Sequence, residues 1–197
     1  MSLNRFSDAD IAYVRANYRR LNELCDERGA NVEQVRRLIA DGLLPRPSYV
    51  LPDGSEMVPD DYFRLLDDAG EPKRLREEFS RRYQLAGGAT SEFEEDWADY
   101  IGGIYGVCLR QVSPETIVRK SELVASIERL LASPAADDAT WRERLRQEVD
   151  ELDILEREFS PDYDRTRFGR PPSRDRLIGA TRERFPELFA EVGAHGG

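Results

Sequence analysis

Lys120 stands where a lysine is unusual. It follows Ile117 by three residues and precedes Leu123 by three and Val124 by four, so helical spacing sets it on an apolar stripe. A lysine there either lays its stem along the stripe with its ammonium reaching water near the helix start, or is buried enough to serve as a Schiff-base or general-base amine. Cys108 becomes a nucleophile only if Arg110, Lys120 or a helix end lowers its pKa; a buried structural thiol is the alternative. Trp97, Tyr100, Ile101, Ile104, Tyr105 and Cys108 fall on one helical face beside Gly102 and Gly103, where a second backbone can approach. That face lines an aromatic pocket or forms a core stripe.

The densest polar stretch runs from Asp162 to Asp175 and includes Asp164, Arg167, Ser173 and Arg174. It reads as a loop ending at a helix N-terminus, where a capping Ser173, backbone N–H groups and arginine forks can hold a carboxylate or phosphate. The alternative is a loop stapled by Asp–Arg pairs. Asp150, Glu151, Asp153, Glu156 and Glu158 share a predicted helix with Arg142, Arg144, Arg146 and Arg157, a spacing that pairs charges along a solvated surface.

Composition narrows the chemistry further. The single histidine, His195, lies in a Gly-rich tail, which removes Ser-His-Asp, Cys-His and His-metal centres; no metal or cofactor is expected. The net charge of −10 opposes general attraction to a phosphate backbone. Two distant cysteines, no leader-like N-terminus and no long apolar run predict a cytoplasmic chain that does not cross a membrane. With 27 Arg and 2 Lys, the lysines Lys73 and Lys120 stand out.

The elements that position these residues are predicted to be mainly helical. Ser7 caps a first helix; a helix over 22–28 ends at Gly29, and Asn31 caps another that closes at Gly42. Pro52-Asp53-Gly54 between two apolar segments predicts a hairpin, and a further helix starts at 59–61. Domain boundaries are set at 1–70, 71–192 and a tail, 193–197. The second domain is read as five helices over 71–86, 91–111, 114–132, 138–159 and 173–192, with Pro186 kinking or restarting the last, together a helical bundle. Trp141, Leu145, Val149, Leu152, Leu155 and Phe159 provide a seam for the bundle or for a homodimer.

Leu24-Cys25, Gly29 to Arg36, Gly42-Leu43-Leu44-Pro45 and the Asp53-Gly54 wing together resemble the winged helix-turn-helix of MerR-family regulators. The resemblance implies DNA binding through Arg36, with Arg37 and Arg46 nearby, and through an Arg-x-Tyr on the wing. Here the wing carries Glu56 and Val58 instead, and residues 21–66 hold five Arg against nine Asp and Glu. Nucleic acid is therefore a disfavoured partner, and the module reads as a docking or packing scaffold.

Trp97-Ala98-Asp99-Tyr100, Gly106 to Leu109, Ser113-Pro114-Glu115 with Lys120, Arg167-Phe168-Gly169 and Ser173-Arg174-Asp175 resemble a bacterial family of uncharacterised natural-product biosynthesis proteins. That resemblance implies an accessory role in specialised metabolism, binding a small-molecule ligand or a biosynthetic protein partner. The alternatives are a ligand-responsive regulator of the MerR-like type and a cofactor-free tailoring enzyme.

Overall fold

The computed structural model describes residues 5–167 and 172–190. The expected tail 193–197, the end of the helix at 192 and the Phe168-Gly169 part of the resemblance lie outside the described residues.

The chain is mainly α-helical with one small sheet. Helix α1 (Asp8–Asn17) starts at a reciprocal capping box between Ser7 and Asp10. Strand β1 (Arg19–Arg20) follows, an element without a sequence signal, and its pairing with β3 (Glu56–Val58) makes β3 the centre of an antiparallel sheet whose other edge is β2 (Tyr49–Val50). Between them, α2 (Leu21–Glu27) and α3 (Val32–Ala40) are joined through Gly29 at φ 66°, with Asn31 capping α3. The turn at 51–54 closes the hairpin as its Pro-Asp-Gly chemistry requires. Helix α4 (Arg64–Ala69) starts later than the acidic residues at 60–61 suggest, after a turn.

Beyond Gly70 a 3-10 turn (Pro72–Arg74) leads into α5 (Leu75–Leu85). The helix expected over 91–111 is broken: α6 (Phe93–Ile101) stops at Gly102-Gly103 and α7 (Tyr105–Cys108) restarts after it. Gly103 takes φ 76°, and a Cβ there would sit 2.3 Å from the carbonyl oxygen of Arg46. The close approach expected at the glycine pair thus occurs, and it interrupts the helix, so Trp97 and Cys108 do not share one continuous face. Helices α8 (Pro114–Ala132) and α9 (Ala139–Leu155) form an antiparallel pair. α9 ends four residues before the expected 159. Next come the short α10 (Tyr163–Arg167), a helix within the stretch expected to be a loop, then a π-helical segment (Arg174–Gly179), α11 (Ala180–Arg184) and α12 (Pro186–Phe189), which restarts at Pro186.

One core cluster runs from Leu21, Leu44 and Leu65 through Leu75 and Phe79 to Leu109 and Ile117, so apolar packing continues across Gly70. A second joins Leu123 and Ile127 of α8 to Trp141, Leu145 and Val149 of α9 and to Leu177 and Ile178. The seam on α9 is therefore filled within the chain rather than offered to a second copy.

A third cluster fixes α1 on the far side, where Val14 and Tyr18 pack with Tyr49, Met57 and Val107. Asp10 is buried and accepts the backbone N–H groups of Asp162 (2.9 Å) and Tyr163 (3.1 Å) as well as Ser7. Burial opposes its charge, but these donors outweigh it and hold the carboxyl at about 2. A depressed folded pKa contributes stability that is complete above the ordinary value of 3.8 and is lost as pH falls through about 2. Asp10→Asn is expected to cost about 2 kcal/mol near neutrality. In urea unfolding, the difference from wild type shrinks as the pH is lowered from about 5 towards 2; a constant difference would contradict this assignment.

Candidate functional site

A cleft of about 420 Å³ opens between α6–α7 on one side and α8 with the start of the π-helical segment on the other. Its position follows from the helix break. With α6 stopped at Gly102, α7 turns Ile104, Tyr105 and Cys108 towards Lys120, Ser121 and Val124 of α8. After α9 ends, residues 155–157 run antiparallel to 108–110: the Arg110 N–H donates to the Leu155 carbonyl (3.0 Å) and the Arg157 N–H to the Cys108 carbonyl (2.9 Å). This short ladder carries Glu156 inward.

Glu156 is fully buried. Its Oε1 pairs with the Lys120 ammonium at 3.0 Å and accepts the Ser173 hydroxyl, while Oε2 has no hydrogen-bond partner among the described residues. The sequence pattern grouped Glu156 with surface carboxylates; Glu151 and Asp153 do pair with Arg119 and with Arg174 and Arg182, but Glu156 lies past the helix end, where helical spacing no longer applies. The extended backbone at its C-cap (ψ 138°) marks that change of direction.

The reactive groups on the cleft are held protonated. Burial opposes charge on Lys120, yet its pKa is raised, with the buried Glu156 carboxylate paired beside it favouring the ammonium. Burial pushes the Cys108 thiol up, and the thiol lies 3.6 Å from the Ile104 carbonyl oxygen. Burial, followed by the Asp96 carboxylate that accepts its hydroxyl, raises Tyr105 as well. Asp96 also accepts the Tyr83 hydroxyl at 2.6 Å. Lys120 is thus neither a free snorkelling ammonium nor a neutral amine: it is 16% exposed, charged and paired.

The other predicted site residues separate into different environments. Tyr105, Lys120 and Ser173 meet at the cleft. Ser173 does not cap a helix there; its hydroxyl is committed to Glu156. Tyr100 is buried and Trp97 half-buried, both packed around Phe79. Arg110 is exposed and joins the cleft only through the backbone ladder. Asp164 accepts the Tyr49 hydroxyl (2.6 Å) and the Ser160 N–H (2.9 Å), and Arg167 donates to the Ser48 carbonyl (2.8 Å), so both belong to the packing of the N-terminal elements. Arg174 is paired with Asp153 at 2.6 Å. On the helix pair, Arg36 is engaged by Glu33 and, at 2.8 Å, by Glu56. Arg37 lies on the same exposed helix, and the Arg46 N–H donates to the Ile101 carbonyl (2.8 Å) at the Gly103 contact.

Among the described residues no helix is long and apolar enough to cross a membrane. No curated protein and no solved structure matches the chain. A family model matches residues 71–186, more than half of the chain and all of the described cleft-lining residues, and the chain belongs to that family, a family of unknown function (DUF6058).

Proposed function

We propose that the protein is a non-catalytic binding protein for a small molecule, with the α6–α7/α8 cleft as its site. The observation that carries this reading is a cleft of ligand size bordered by a charged Lys120 whose counter-ion, Glu156, is wholly buried. An ammonium has three N–H donors in separate directions, so pairing with Glu156 leaves Lys120 able to donate into the cleft. Protonated Lys120, Cys108 and Tyr105 favour recognition over catalysis, because none is poised as base or nucleophile. The resemblance to natural-product biosynthesis proteins supports an accessory role in specialised metabolism. The helix pair and hairpin, MerR-like in their order, serve in this reading as a packing or docking module, since Arg36 would have to leave two carboxylates to meet a phosphate.

The test is occlusion of the cleft. Ser121 is half-buried on its wall, and Ser121→Trp fills the space while Lys120 and Glu156 themselves are unchanged. A panel of small amines, carboxylates, amino acids and neutral aromatic fragments, followed by ligand-observed NMR with the full chain, is expected to give binders that Ser121→Trp loses while its melting temperature stays near wild type. Binders that persist in Ser121→Trp, or none at all with the wild type, would overturn the proposal.

A further inference from the structure

We infer that the cleft takes a neutral molecule with a hydrocarbon body and a carbonyl acceptor, the carbonyl oxygen seated on Lys120. This rests on the binding reading above and names its ligand class.

The charges that border the cleft are already engaged. Lys120 pairs with Glu156 at 3.0 Å and Arg176 with Glu128 at 2.9 Å; Asp96 accepts the hydroxyls of Tyr83 and Tyr105, and Asp99 has an interaction partner of its own. Glu95 is exposed on the rim and alone makes no site. A charged ligand would therefore leave water without meeting an uncommitted counter-charge, and its desolvation would go uncompensated. An anion on Lys120 would also lie across one ammonium from the buried Glu156 carboxylate, and a cation in the same place would be repelled by the ammonium itself. The neutral polar groups of the wall are committed in the same way, the Ser173 hydroxyl to Glu156 and the Tyr105 hydroxyl to Asp96. What the wall retains is the donor capacity of Lys120, whose ammonium carries three N–H groups and is partly exposed. A carbonyl oxygen accepts such a charge-assisted bond without bringing a charge of its own. Beside it, Ile104, Val124 and Phe159 supply apolar surface for a hydrocarbon or aromatic body.

The measurement is isothermal titration of the full chain with three molecules that share a phenyl body and differ at the head group: 4-phenyl-2-butanone, 3-phenylpropionate and 3-phenylpropylamine. The ketone is expected to bind at least about tenfold more tightly than either charged relative. With the ketone labelled at its carbonyl, the 13C resonance is expected to move downfield on binding, as it does when a carbonyl accepts a strong donor. In the Lys120→Met/Glu156→Leu double variant, which strands no charge, the ketone is expected to bind about tenfold more weakly and without that shift. Equal or tighter binding of the acid or the amine, lost in Ser121→Trp, would overturn the neutral class while leaving the cleft a binding site. An unmoved carbonyl resonance, or unchanged ketone affinity in the double variant, would overturn the contact with Lys120. Binding of other fragments, lost in Ser121→Trp, together with no binding of the ketone would overturn the class and preserve the cleft. Ketone binding that persists in Ser121→Trp would overturn both.

Discussion

Lys120→Met is expected to destabilise the protein by about 3–5 kcal/mol, the range for removing one partner of a buried ion pair. The reason lies in what stays behind. Among the described residues, fully buried Glu156 has no partner at Oε2 and Lys120 is the one cation its carboxylate meets; without it the Ser173 hydroxyl is the remaining described partner. Glu156→Leu should cost less, because the stranded ammonium is partly exposed and can turn towards the water of the cleft. The Lys120→Met/Glu156→Leu double variant should recover most of the loss, since replacing a buried pair by apolar groups of similar size is near neutral. Urea unfolding of the four proteins gives the coupling directly. A Lys120→Met cost below about 1 kcal/mol, or a double variant as unstable as the worse single one, would show that Glu156 is not the buried anion described.

Gly103→Ala is expected to cost about 2–4 kcal/mol, with Gly102→Ala as its control at within about 1 kcal/mol. At Gly103 two penalties coincide: a φ of 76° that an L side chain rarely adopts, and a Cβ that would lie 2.3 Å from the Arg46 carbonyl oxygen. That oxygen belongs to backbone and cannot swing aside as a side chain would. Gly102 has an ordinary φ of −68°, and its nearest such approach is 3.0 Å. The break at Gly103 also aims α7 at Lys120, so the same substitution should weaken fragment binding at temperatures where the variant remains folded. Thermal and urea unfolding of both variants check the contrast; equal, small effects would mean that the segment carrying Arg46 does not press against the glycine.

Local chemistry made much of the fold legible. Ser7, Asn31, Ser113 and Asp138 each cap the helix that follows them, because a short polar side chain reaches free N–H groups whatever the tertiary surroundings. Gly29, Gly42 and Gly70 end helices with positive φ for an equally local reason. The site was only partly legible. Lys120 announced itself by standing among apolar residues, but its partner did not, because Glu156 continues the charge spacing of α9 and is turned inward by a two-bond ladder with residues 108–110 that no local pattern encodes. Strand β1 was missed for a related reason: Arg19 and Arg20 have no strand signal of their own and are extended by pairing with Val58 and Met57. The polar stretch 162–175 showed its charges without their directions. Asp164 and Arg167 face the N-terminal elements, Arg174 faces α9, and Ser173 meets the cleft through Glu156.

The most direct test of the cleft as the site is amide chemical-shift mapping of the full chain during titration with the fragments that bind. The largest perturbations are expected on Glu95, Asp99, Tyr105, Cys108, Lys120, Ser121 and Ser173, which border the cleft. Perturbations concentrated instead on α3 and the β2–β3 hairpin, with the cleft amides unmoved, would contradict it.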